Sequence, residues 1–183
     1  MDKRFEIRRA SVDDAAQVAR VHVEATCAAY KNLYMPEHLA SLSPETFTRR
    51  WADRERSHLA LGNPYGVFLA LDFSGAAIGF ADVGPANAAG QQAKAEEARL
   101  FAIYLYPTYI GKGIGRKLLQ TCVEYARQHG FCSLLADVLS LNSTARTFYE
   151  RTGARALSES EHSRSVGGTE LNVITYRWDS LPS

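Results

Sequence analysis

The chain has 183 residues, 46% hydrophobic and 22% charged, the composition of an ordinary globular domain with enough apolar material for one core. Lys and Arg total 21 against 20 for Asp and Glu, so no field of one sign marks a nucleic-acid or membrane-surface binder, and any anion site must be local. Three cysteines outside any CxxC pair and five histidines without HExxH or zinc-finger spacing supply no metal site and read as buried, reduced thiols and ordinary histidines.

The start, Met1-Asp2-Lys3-Arg4-Phe5-Glu6-Ile7, lacks an apolar signal core, and no stretch reaches the roughly 18 apolar residues of a membrane helix. A cytoplasmic protein without membrane or nucleic-acid partners is the expectation. Phe5-Glu6-Ile7 alternates as a short strand. Ser11 then caps a helix whose Ala15, Val18, Ala19, Val21, His22 and Ala25 recur at helical spacing, fading near Tyr30. Residues 31 to 58 are less regular, but Ser43-Pro44-Glu45 is a helix start, with Phe47 and Trp51 on one face of a short second helix.

Tyr65 to Phe73 and Ala76 to Val83 are β-like runs around Asp72-Phe73-Ser74-Gly75, which predicts an antiparallel hairpin. A polar loop over 84 to 97 leads to Leu100-Phe101-Ala102-Ile103-Tyr104-Leu105, a nearly continuous apolar run expected to be covered on both faces and ended by Pro107. A helix follows from about Gly113 to His129. Its buried face carries Ile114, Leu118, Cys122 and Tyr125, widened by Leu119 and Val123, with Gly130 at the C-terminal cap. Phe131 to Val138 is the next strand. Asn142 or Ser143 caps a helix carrying Ala145, Phe148 and Tyr149 that ends at Gly153, and two strands near 154 to 162 and 169 to 178 complete a single mixed domain, 1–183. The stretch from Ser158 to Gly168 reads as a hairpin tip.

The chemistry concentrates at Ile110-Gly111-Lys112-Gly113-Ile114-Gly115. Strand, proline and glycine loop entering a helix let several main-chain N–H groups converge on an anion, aided by the helix dipole, and the glycines remove Cβ atoms that block approach. The Walker pattern fails because Lys112 precedes Gly113, and a GxGxxG count from Gly111 fails at Arg116. Taken singly, Gly111, Gly113 and Gly115 fit an ordinary loop; three before an amphipathic helix favour an anion site. Lys112, Arg116 and Lys117 either meet phosphates or are solvated cations that oppose the helix dipole.

Ile103-Tyr104-Leu105-Tyr106-Pro107, leading to Gly111-Lys112-Gly113-Ile114-Gly115-Arg116-Lys117-Leu118-Leu119, resembles the acetyl-CoA loop of the GNAT N-acetyltransferases. Asn142-Ser143-Thr144-Ala145-Arg146-Thr147-Phe148-Tyr149-Glu150 matches the same family, and the element order covers most of the chain. The resemblance implies an α/β (α+β) fold. It has a mostly antiparallel sheet of six to seven strands flanked by about four helices and splayed between the fourth and fifth strands. It also implies direct transfer from acetyl-CoA, without a metal, to a primary amine of a small molecule or peptide. Dimerisation through the terminal strands is a family expectation.

By this resemblance, the amides of 111 to 116, with Ile110, Gly111, Lys112, Gly113, Ile114, Gly115 and Arg116, hold the CoA pyrophosphate. The main chain of Ile103 and Leu105 pairs with pantetheine like an added strand. Tyr149 matches the tyrosine that faces the CoA sulfur, and a phenol protonated at neutral pH can donate to the leaving thiolate; propensity alone would make Phe148 and Tyr149 core aromatics. Asn142 is a helix cap or a partner of pantetheine or the tyrosine. The family often places a carboxylate on the preceding strand where this chain has Arg99. Glu97 shares strand parity with Arg99 and is the candidate base, as against a solvated acidic loop; a water chain or a backbone carbonyl is the alternative. Ile110 replaces the family's usual Gln or Arg. Tyr30, Tyr34 and Trp51 either line the acceptor pocket or pack the substrate-side helices on the sheet, and His22 reads as structural. Two other readings remain: an acyl-CoA binding or sensing domain with weak catalysis, motivated by Arg99, and a non-enzymatic partner-binding module.

Overall fold

A computed structural model of the chain describes residues 5–62, 64–89, 94–157 and 162–179. In chain order the elements are β1 (Glu6–Arg9), α1 (Ala15–Tyr30), α2 (Pro36–Ser41), α3 (Pro44–Leu61), β2 (Gly66–Leu71), β3 (Ala77–Pro85), β4 (Glu97–Leu105), α4 (Ile114–Gln128), β5 (Ser133–Leu139), α5 (Ser143–Arg151), β6 (Arg155–Ala156), β7 (His162–Val166) and β8 (Thr169–Trp178). The expected order holds, with two additions that the sequence reading lacked. α2 starts with Pro36 in its first turn, and β7 pairs with β8 along the stretch read as a hairpin tip, while the strand expected near 154 to 162 is found as the two residues of β6. The second predicted helix is not short: α3 runs for 18 residues.

One sheet holds all eight strands, in the order β1-β2-β3-β4-β5-β8-β6, with β7 also on β8. Every pairing is antiparallel except β4 with β5. That parallel ladder covers Glu97–Leu100 against Ser133–Ala136 and stops. Beyond it β4 keeps β3 as its neighbour while β5 keeps β8, so the sheet splays between its fourth and fifth strands. The apolar run of β4 is consequently buried only through Leu100; Phe101 to Leu105 are half-buried, not covered on both faces.

A bulge sets which side chains face which layer. Val83 pairs with Leu100 and Asp82 with Ala102, leaving Phe101 without a partner on β3, and an extra residue reverses the alternation. Ala98 and Leu100, then Ile103 and Leu105, pack with α4 and α5 around Leu118, Cys122 and Tyr149. Ala102, Tyr104 and Tyr106 pack with Val18, Val21, Phe47 and Trp51 of α1 and α3. Each fully buried side chain of this kind contributes about 1.5–3 kcal/mol. Ser11 is joined to Asp14 ahead of α1, its N–H donating to Asp14 Oδ2 at 2.8 Å, and Arg8 forks onto the same carboxylate at 2.7 Å. Of the three thiols only Cys122 is buried; Cys27 is half-buried and Cys132 exposed. Residues 158–161 of the expected hairpin tip and 90–93 of the polar loop lie outside the described residues. Among the described residues no helix is long and apolar enough to cross a membrane, and no cluster of His, Cys, Asp and Glu is placed to hold a metal.

Candidate active site

The glycine loop follows β4 through a single turn, Pro107–Tyr109. Gly111 and Gly113 both have φ of +82°, a region that costs an L-residue with a Cβ about 1–2 kcal/mol. Gly113 is also the N-terminal cap of α4. The first helical bond runs from Lys117 N–H to the Gly113 carbonyl at 3.1 Å, so the amides ahead of it are the orphan donors of a helix start. A cluster of N–H groups at the positive end of a 15-residue helix fits a pyrophosphate. The Lys112 ammonium lies 5.0 Å from the Tyr109 ring centre, and Arg116 and Lys117 are exposed. Ile110 is 53% exposed at the loop edge, a position that offers apolar surface where a polar contact was expected. Past Leu100, the strand carrying Ile103 and Leu105 has β3 as its one strand neighbour, leaving an edge of the kind that adds an extended ligand.

Tyr149 approaches the splay from α5. Its ring packs against Tyr176 at 5.7 Å and Trp178 at 5.3 Å. Burial, then the neighbouring Tyr30 phenol and the Asp137 carboxylate, push its pKa far above that of a free tyrosine, so it remains a donor at physiological pH. Asn142 fills its expected role as a cap, and its amide nitrogen is turned to Tyr30 and not to Tyr149. Its Oδ1 accepts from Ala145 N–H at 3.1 Å and caps α5, while Nδ2 donates to Tyr30 Oη at 3.4 Å. Tyr30 stacks on Tyr34 with ring centres 4.7 Å apart, and burial raises the Tyr34 pKa to about 12. Trp51 lies elsewhere, in the α1–α3 core against His22 and Phe80. His22 is a core residue. Burial, reinforced by Arg50 and Arg54, lowers its pKa to about 4.

Glu97 shares a face with Arg99, as strand parity predicts, but its carboxylate is engaged. Oε1 lies 2.7 Å from Arg177 Nη1 and Oε2 accepts from Lys94 N–H at 3.0 Å. It also sits at the first rung of the β4–β5 ladder, opposite Ser133, where the strands are still joined. The carboxylate at the point of divergence is Asp137 on β5, one residue past the last rung. Its Oδ1 is 2.7 Å from Arg99 Nη1 and accepts from Thr175 Oγ1 at 2.8 Å, and its Oδ2 is 3.5 Å from Arg164 Nη2 of β7. The sequence reading missed Asp137. The signal was one charged residue inside the apolar run Leu134-Leu135-Ala136-Asp137-Val138-Leu139. The charge expected on β4 is thus found on β5, paired to the arginine that replaced it.

The glycine loop at the start of α4, the free edge of β4, Tyr149 of α5 and the Arg99–Asp137 pair thus belong to the elements that border the end of the β4–β5 ladder. Residues 27–154 match the model of the acetyltransferase (GNAT) family. An uncharacterized N-acetyltransferase of Bacillus subtilis (strain 168), YuaI, is 29% identical over 175 residues, 96% of this chain and 93% of its own length. A spermidine N(1)-acetyltransferase of Thermoplasma acidophilum is 26% identical over 153 residues, 81% of this chain and 87% of its own. The crystal structure of PaiA N-acetyltransferase from Thermoplasma acidophilum in complex with coenzyme A superposes with a TM-score of 0.73 at 20% identity, covering 95% of this chain and 99% of that one. The resemblance read from the two motifs is borne out: this chain belongs to the GNAT acetyltransferase family and is an acetyl-CoA-dependent N-acetyltransferase acting on an amine.

Proposed function

We propose that the acetyl group passes directly from acetyl-CoA to a primary amine at the opening between β4 and β5, with Asp137 and Tyr149 handling the protons. The observation that carries this reading is that the β4–β5 ladder ends at Leu100 and Ala136 and the next residue of β5, Asp137, holds Arg99 of β4 at 2.7 Å across the opening. The amides of 111 to 116 and the α4 dipole hold the pyrophosphate, and the edge of β4 at Ile103 and Leu105 holds pantetheine, which directs the thioester toward the splay. An acceptor ammonium binds Asp137, whose Oδ2 is the less occupied oxygen, and loses a proton to that carboxylate or to water beside it. The amine then attacks the thioester carbonyl, the C–S bond breaks, and Tyr149 donates its proton to the departing thiolate. The second proton leaving nitrogen restores Tyr149, so one proton is released per turnover. Tyr30 and Tyr34 line the acceptor side, and Asn142 fixes Tyr30 relative to α5. Glu97 has no part in these steps.

Two measurements test the reading. Acetyl-CoA at 100 times its dissociation constant should stabilise the fold by about 2.7 kcal/mol, seen as a rise in Tm absent with unrelated nucleotides. Thiol release with a panel of amines should then depend on the acceptor. Stabilisation without thiol release is the result expected of an acyl-CoA sensor, and no stabilisation at all is that of a partner-binding module; either contradicts the proposal.

A further inference from the structure

The acceptor side of the splay carries two guanidinium groups for one carboxylate. Arg99 and Asp137 face it from β4 and β5, and Arg164 reaches it from β7, opposite Leu171 of β8. Arg99 is 7% exposed and its Nε has no hydrogen-bond acceptor among the described residues, an uncompensated buried donor. The Arg164 side chain is 52% exposed and its ion pair to Asp137 is a long one, 3.5 Å through Nη2, with the Tyr34 phenol nearby, so its fork is open to a ligand. A polyamine would meet an excess of like charge here.

The surroundings are apolar. Tyr30, Leu33, Tyr34 and Val166 pack on Leu139, Leu171 and Val173, joining the end of α1 to the β7–β8 hairpin. At the hairpin turn, a Cβ built on Gly167 would lie 2.5 Å from the Cβ and Cγ of His38. The turn is therefore seated on α2. Beside this apolar cluster the adjacent positive and negative groups of Arg164 and Asp137 lie 3.5 Å apart. An α-amino acid presents the opposite pair, an ammonium and a carboxylate separated by one carbon.

We infer that the acceptor is an α-amino acid, its ammonium on Asp137 and its carboxylate forked by Arg164 with Arg99 behind it. This rests on the acetyl-transfer reading above and names the substrate class of that site. A planar fork matched to a carboxylate gives geometric selection as well as charge.

The test is thiol release at saturating acetyl-CoA with matched pairs: leucine against isopentylamine and leucinamide, methionine against 3-(methylthio)propylamine, with spermidine and a leucine-initiated peptide beside them. The free amino acids should exceed their carboxylate-free counterparts in kcat/KM by ~10-fold or more. Arg164→Gln, on an exposed edge strand, should collapse that ratio toward one through a raised KM for the amino acids, and Arg164→Lys should keep part of it. Equal or better turnover of the decarboxylated amine, the polyamine or the peptide overturns the inference, as does an unchanged ratio in Arg164→Gln. If amines react without regard to the carboxylate, this inference alone falls; if acetyl-CoA stabilises the protein and no amine reacts, the transfer reading falls with it.

Discussion

Arg99 Nη1 lies 2.7 Å from Asp137 Oδ1, with side chains 8% and 11% exposed, across the place where β4 and β5 cease to pair. Such a pair contributes little over an apolar pair, but removing one partner leaves a buried charge without compensation. Arg99→Met should therefore destabilise the protein by roughly 3 kcal/mol, read from urea unfolding midpoints, and Arg99→Lys by less. A loss within the scatter of surface substitutions would show that Thr175 and Arg164 already satisfy Asp137.

Tyr149→Phe removes only the hydroxyl and keeps the contacts to Tyr176 and Trp178. Turnover should fall by ~10²-fold while the acetyl-CoA dissociation constant, measured by calorimetry, stays within about twofold. Because burial, Tyr30 and Asp137 raise the phenol's pKa above the ordinary value of about 10, the wild-type rate should show no alkaline decline from this group up to pH 10. A tyrosine-like limb below that pH would contradict its role as the proton donor.

Two buried groups act on acid stability with opposite signs. His22 has its pKa lowered to about 4 by burial, Arg50 and Arg54, so its contribution is present above the unfolded value near 6.5 and is lost as pH falls toward 4. Asp82 has its pKa raised to about 6 by burial, with Glu55 adding to the rise and Arg54 at 2.6 Å opposing it. Its contribution is present below the unfolded value near 3.8 and is lost as pH rises through 6. Between pH 6 and 4 the slopes offset. His22→Leu should expose the Asp82 slope, so the variant gains stability on acidification from pH 6.5 to 4 relative to wild type, by roughly 3 kcal/mol. Chemical denaturation at several pH values measures it.

Gly113→Ala separates backbone strain from packing, since nothing lies within 4 Å of the added Cβ while φ is +82°. The fold should lose about 1–2 kcal/mol, and acetyl-CoA affinity should fall by more than tenfold because the cap that aims the amides of α4 is displaced. Unchanged affinity would place the pyrophosphate elsewhere.

The donor half of the proposed site can be read in the sequence because it is local: a glycine loop at a helix start and Asn142 through Tyr149 are each contained in one stretch of chain. The acceptor half cannot, because Asp137 acquires its meaning from Arg99, Thr175 and Arg164 on three other strands, which only the order β4-β5-β8-β7 brings together. Read by periodicity, Asp137 was one polar residue in a buried strand. The bulge at Phe101 was hidden for the same reason, since it is a mismatch between two strands. The length of α3 was masked by Arg49, Arg50, Asp53, Arg54, Glu55 and Arg56, a charged run in which Glu55 is nonetheless buried and Arg54 pairs with Asp82.

The most direct test of acetyl transfer through the splay follows thiol release and N-acetylated product together, for wild type and Asp137→Asn, under saturating acetyl-CoA with a reactive amine. Equal amounts of CoA and acetylated amine are predicted for wild type. For the variant, a fall in turnover of ~10²-fold is predicted at undiminished acetyl-CoA affinity, with partial recovery in Asp137→Glu. Wild-type turnover retained in Asp137→Asn would contradict the account.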